Sequence, residues 1–193
     1  MPWKKNFDVD AALRKAGETF WSAGYEATSM TSLLDAMGIQ KGSFYDTFGS
    51  KRDAYLRALD RYADGRQAML DGWAADSSPI ECLRQLLTYV RDDCIGPEGR
   101  KGCMLVNCAL ELAATDPDAQ RTVQTAFEAF RRTLEDCLER ARERGEVGAQ
   151  VDPAATSTTL LGLVMSMRVF SRAGSPDATI QTLHDQALEL LER

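Results

Sequence analysis

The chain has 193 residues, 44% of them hydrophobic, and a formal net charge of −6, a composition that suits a globular protein with a sizeable core and excludes a disordered one. No apolar run approaches the ~20 residues that span a bilayer, and the N-terminal MPWKKNFDVD has two lysines with no apolar stretch behind them, so no membrane association and a cytoplasmic location are expected. The five cysteines have no Cys-x-x-Cys spacing and His184 is the only histidine, which argues against a metal site; no cofactor is expected.

No segment alternates with the period of a strand, while helix starts and stops recur along the whole sequence, so the expected fold class is all-α with about nine helices. The first, over 9–23, carries Val9, Leu13, Ala16 and Phe20 on one stripe and ends near Gly24. The next spans 30–37 after a Ser29 cap, with Met30, Leu33, Leu34 and Met37 inward. Gly38 falls where the chain leaves that helix, a position that favours a left-handed backbone, and Ile39 anchors the corner. A third helix over 41–48 places Phe44 and Phe48 four apart on an inward face. Gly49 stops it, and Ser50 to Asp53 reads as a capping box opening a long fourth helix over 51–74. This is the outline of a helix-turn-helix.

The order of residues is more specific than the outline. GYEATSMTSLLDAMGIQKGSFYDTFGSKRDAYLRAL resembles the DNA-binding domain of the TetR-like family of bacterial transcriptional repressors, above all in Gly-Ile-x-Lys-Gly-Ser-Phe-Tyr followed by Phe and Ser-Lys. The resemblance covers roughly Val9 to Leu59. It implies a helix-turn-helix DNA-binding domain over 1–50 and a helical effector-binding and dimerisation domain over 51–193. It further implies that the third helix enters the major groove, where base edges can be distinguished. Gln40, Lys41, Ser43 and Tyr45 are its outward candidates, and Gly42 would allow close backbone approach. Thr28, Ser29 and Thr31 would hold phosphate at the preceding helix start, and Lys51 another phosphate. Residues 1–66 carry ten Lys and Arg against nine Asp and Glu, with Lys4, Lys5, Arg14 and Lys15 among the cations. The acidity therefore belongs to the C-terminal part, and the reader must depend on a few well-placed groups.

Downstream, Ser78-Pro79, Asp116-Pro117, Asp152-Pro153 and Ser175-Pro176 each set a capping side chain before a proline, and Glu81 completes a second capping box. Helices are expected over 79–94, 103–115, 117–144, 153–173 and 176–192. A cavity among them would draw on Trp73, Tyr89, Met104, Cys108, Phe127 and Phe130, with Met165 and Phe170 from the eighth helix. Asn107 and Glu111, four apart on one face, are the polar candidates to orient a ligand, unless they bond to each other or to backbone. Cys103 follows Arg100 and Lys101 at a helix start, where a thiolate would be stabilised, so it is a possible redox or electrophile sensor; the alternative is a packed core thiol.

The last two helices present Leu160, Leu163, Val164 and Met167, and Ile180, Leu183, Ala187 and Leu190. Both stripes could be core; the family resemblance implies that these helices form a homodimer interface. The reading is a transcriptional regulator and not an enzyme: probed for catalysis, the chain offers no nucleophile motif and no phosphate loop. A dimer would bring two readers to a palindromic operator on double-stranded DNA, and a small apolar or electrophilic effector would release it. The alternative is a helical effector-binding and dimerisation protein that has lost specific operator binding.

Overall fold

The computed structural model describes residues 7–192, and these contain helices but no strands. Lys4 and Lys5, counted above among the reader's cations, lie outside the described residues. The helices are α1 (Val9–Ala23), α2 (Met30–Met37), α3 (Lys41–Phe48), α4 (Lys51–Asp76), α5 (Pro79–Ile95), α6 (Met104–Glu111), α7 (Pro117–Glu143), α8 (Pro153–Ala173) and α9 (Asp177–Glu189), with a 3-10 turn at Gly99–Lys101. None of them is long and apolar enough to cross a membrane.

Local chemistry accounts for most of the boundaries. The Ser29 hydroxyl accepts from Ser32 N at 3.0 Å, and the Ser50 hydroxyl from Asp53 N at 3.0 Å. The Asp53 carboxylate does not reach back to the Ser50 N–H; it accepts instead from the Ser50 hydroxyl at 2.8 Å. Asp116 and Asp152 cap α7 and α8 with proline following each. Gly38 is left-handed, φ 70° and ψ 34°, and turns the chain from α2 to α3.

Helix α4 runs two residues longer than expected, α6 and α9 are shorter, and three end details differ. Helix α6 ends at Glu111, because the Cys108 carbonyl accepts from both Leu112 N and Ala113 N and the backbone winds off before the Asp116 cap. Ser175 does not cap α9; its N–H donates to the Phe170 carbonyl as part of the C-terminal turn of α8 through Gly174. Glu81 closes no capping box, and the half-buried first-turn N–H of Ile80 donates to the Glu146 carboxylate at 3.1 Å.

Two apolar clusters hold these helices. One joins Ala12, Ala16 and Phe20 of α1, with Val9 and Leu13 half-buried beside them, to Leu33, Phe44, Phe48 and Tyr55, and continues without a break into Met104, Cys108 and Val123. The other runs from Leu70 through α5 and the second half of α7 to α8 and α9. Helix α4 contributes to both, its first turns to the reader and its last to the larger core.

Candidate nucleic-acid interface and its companion cavity

Helix α3 is set by its inward face: Phe44 and Phe48 are fully buried, 5.4 Å apart between ring centroids. That fixes what remains outside. Gln40, Lys41, Gly42 and Tyr45 are exposed and Ser43 is half-buried; the Tyr45 ring stands edge-on against Phe44 at 5.4 Å with 42% of its surface in solvent. Gln40 makes no side-chain cap, so the first N–H groups of α3 keep their hydrogen-bonding capacity. Ser29 and Thr31 are exposed at the start of α2. Lys51 is half-buried, its ammonium 4.5 Å above the Tyr25 ring. Thr28 corrects the sequence reading: it is 2% exposed and its hydroxyl donates to the Gly24 carbonyl at 2.6 Å, so it braces the α1–α2 turn from inside and cannot touch a phosphate.

The reader is bolted to the rest of the chain by polar contacts as well as by its core. Arg52, in the first turn of α4, donates to both carboxylate oxygens of Asp116 at 2.5 and 2.7 Å, and to Asp118 at 2.7 Å. The same Asp116 carboxylate caps α7, accepting from Asp118 N and Ala119 N, and Arg52 holds its pKa down to about 2. Glu111 accepts from Tyr25 N at 2.8 Å. Trp21 of α1 donates from Nε1 to the Gly102 carbonyl at 3.1 Å, and Lys101 reaches across to pair with Glu18.

Behind this junction, α4, α5, α6, α7 and α8 line a cavity of about 510 Å³. Its apolar wall includes Leu86, Val90, Phe127, Phe130, Val164 and Met165, and its polar edge Tyr62, Arg66, Tyr89 and Arg168. Of the residues expected here, Tyr89, Phe127, Phe130 and Met165 do line it, and Cys103 joins them.

The others lie elsewhere. Trp73 packs edge-on behind Tyr89 at 5.3 Å. Met104 and Cys108 are buried in the reader-side core, Cys108 against the Tyr55 hydroxyl, where burial raises its thiol pKa. Asn107 donates to the Lys101 carbonyl at 3.0 Å and Glu111 is committed to Tyr25, so both are structural braces and neither orients a ligand. Phe170 is 41% exposed on the outer face of α8. Sequence reasoning missed Tyr62, Arg66 and Arg168.

Cys103 also differs from expectation. It is 8% exposed, and the two cations meant to stabilise a thiolate point away: Lys101 pairs with Glu18 and Glu98, and the Arg100 guanidinium lies against Gly174. The dimer stripe needs a larger correction. Leu160, Val164, Met167, Ile180 and Ala187 are buried in this chain's own core, because α8 and α9 use their strongest apolar faces against each other, α5 and α7. Leu163, Leu183 and Leu190 are half-buried, and the open face of α8 runs through Thr159, Leu163, Ser166 and Phe170.

Comparison with known proteins supplies the family. The model for bacterial regulatory proteins of the tetR family matches residues 12–58, and that for the tetracyclin repressor-like C-terminal domain matches 79–186. The chain is 32% identical to the uncharacterized HTH-type transcriptional regulator YezE of Bacillus subtilis, across 97% of this chain and 98% of that one. It is 28% identical to the HTH-type transcriptional repressor ComR of Escherichia coli, across 89% and 82%. Among solved structures, a cysteine mutant of the TetR family transcriptional regulator CifR complexed with 26-bp double-strand operator DNA superposes with a TM-score of 0.81 at 25% identity, covering 96% of this chain and 97% of that one.

Proposed function

The chain belongs to the TetR family of bacterial transcriptional regulators, and from that premise we propose that it is a repressor that binds a palindromic operator as a two-fold dimer and leaves it when a small molecule fills the cavity. The observation that carries the DNA half of this reading is α3: an uncapped helix start bearing Gln40, Lys41, Gly42, Ser43 and Tyr45 outward, on a face pinned from behind by Phe44 and Phe48. Unpaired N–H groups and a lysine suit phosphate, and polar side chains on the same helix suit base edges. A relative's complex with operator DNA supports the same mode.

Release follows from the construction of α4. Its first turns belong to the reader's core, and Tyr62, Arg66 and Met69 farther along face the cavity. A ligand that fits one tilt of α4 better than another changes the separation of two readers in a dimer, and needs only a difference in affinity between the two states to do so. The open stripe of α8, with Leu163 and Phe170, is the surface that supports pairing with a second copy. Cys103 opens onto the cavity, so an electrophilic effector would meet its thiol there. Mass spectrometry after quinone treatment tests that element; an unmodified Cys103 with DNA binding intact removes it.

The main test is a mobility-shift titration of the purified chain on DNA from upstream of its own gene, at stated salt with excess nonspecific competitor. Sequence-specific retardation supports the reading. Its absence across the candidate palindromes overturns it, and leaves a helical effector-binding protein without an operator.

A further inference from the structure

Three arginines line the cavity. Arg121 is exposed at its rim and pairs with Asp118; the surroundings of the other two differ. Arg168 is 6% exposed and paired with Asp93, as a desolvated guanidinium ordinarily must be. Arg66 is half-buried, and among the described residues no carboxylate pairs with it. Its direct contacts are neutral, and the charged group acting on it from the same wall is another cation, Arg168: the Tyr89 hydroxyl accepts from Nη1, and the rings of Tyr62, Tyr89 and Trp21 lie 5.0, 5.7 and 5.8 Å from its Cζ. Ring faces attract a cation but leave most guanidinium N–H donors without an acceptor. The acids at the rim, Asp60 and Asp64, are exposed, and Asp60 is engaged by the Thr122 hydroxyl at 3.1 Å. The inner wall therefore carries two guanidinium groups, Arg66 and Arg168, and the one carboxylate that balances them, Asp93, is not part of the lining.

We propose that the cavity binds an organic carboxylate with an apolar body, its anionic end received by Arg66 and its body lying against Leu86, Val90, Phe127, Phe130 and Val164. This rests on the reading of the cavity as the effector site. The volume of about 510 Å³ suits a molecule of a dozen or more heavy atoms. A planar carboxylate matches the fork of a guanidinium, which an amide or alcohol of the same shape cannot do with charge. The contact would also report directly to the reader, since the Arg66 guanidinium rests on Trp21, a residue of α1 that holds the Gly102 carbonyl.

The test is calorimetric and fluorescence titration of the full chain with matched probes: octanoate against octanamide, and indole-3-acetate against indole-3-acetamide. The carboxylate of at least one pair binds about tenfold or more tightly than its amide, the size of one charge-assisted contact. Arg66→Met removes that preference and leaves amide affinity within about threefold, while Arg66→Lys keeps part of it. Should Arg66→Met fail to fold, the wild-type pairs and Arg66→Lys decide alone. Equal or tighter binding of the amides, no carboxylate binding at millimolar concentration, or a preference that survives Arg66→Met each overturns the proposal. Operator release is scored separately. Carboxylate binding without release keeps the ligand class and refutes the effector role, whereas release by amides alone does the reverse.

Discussion

Replacing Gly42 by alanine separates what α3 does for the fold from what it does for DNA. Gly42 sits in the first turn of a helix, its φ is not positive, and a Cβ built on it meets nothing within 4 Å. Neither the backbone nor the packing of this chain asks for glycine there. In such a position glycine costs a helix roughly 0.5–1 kcal/mol relative to alanine, and a first-turn site takes the lower part of that range. Gly42→Ala should therefore stabilise the free protein by about 0.5 kcal/mol, a rise in Tm of about 1–2 °C for a chain of this size. If the space above Gly42 is where the DNA backbone or groove wall approaches, the added methyl overpacks the complex by about 1–3 kcal/mol and weakens operator binding roughly 5- to 150-fold. Circular-dichroism melting at fixed protein concentration reads the first effect, and fluorescence anisotropy with upstream DNA at constant salt reads the second. A variant that melts higher and binds the operator as tightly as the parent refutes the reasoning, because the glycine would then serve no partner.

Three further outcomes follow from the same geometry. Lys51→Ala should reduce the slope of log affinity against log salt by about 0.9, one phosphate's worth, with similar losses on every sequence; an unchanged slope with altered sequence preference would mean that Lys51 only stacks on Tyr25. Asp116→Asn loosens the Arg52 clamp between α4 and α7. The carboxyl pKa is depressed from its ordinary 3.8 to about 2 in the fold, so the stability it contributes is complete above 3.8 and is lost as pH falls toward 2. In urea titrations the deficit of Asp116→Asn relative to the parent should be constant at neutral and mildly acidic pH and shrink below about pH 4; a deficit that grows on acidification would contradict the clamp. If α8 pairs two copies as proposed, Phe170→Glu on its open face should shift sedimentation toward monomer and weaken operator binding by at least about tenfold through loss of the second reader; a dimer that survives the substitution would place the partner surface elsewhere.

The reader was legible in the sequence because its determinants are local. Ser29, Gly38, Phe44 and Phe48 act over one or two turns, so period and punctuation were enough to give α2 and α3 their observed bounds. The cavity was not legible in the same way, since its walls come from five helices whose rotation about their axes is set by packing. Aromatic and methionine positions were therefore assigned to it almost at random between wall and core, as Met104 and Phe130 illustrate. One signal was available and unused: Arg168 continues the stripe of Leu160, Val164 and Met167, and a charge inside a buried stripe demands a partner. Five of the eight residues expected at a dimer face lie in the chain's own core for a related reason. A helix apolar on two sides does not say which side meets its own chain, and α8 gives the richer one to α5, α7 and α9. Thr28 illustrates the limit at single residues, for a hydroxyl beside a helix start can turn to solvent or to the Gly24 carbonyl and the sequence is the same.

The apolar cluster that begins at Ala12 in α1 and runs on to Val123 in α7 has a consequence for how such a protein can be taken apart. A cut after Ser50 would leave Phe20 without Tyr55, its edge-on neighbour at 5.1 Å, and would open the reader where α6 now covers it. The reader is thus not a cassette that can be lifted out and attached to another sensor at the start of α4. A chimera that keeps this DNA specificity has to carry α6 and the first turns of α7 with it, so whatever such a graft gains in a new input it inherits together with part of the old one.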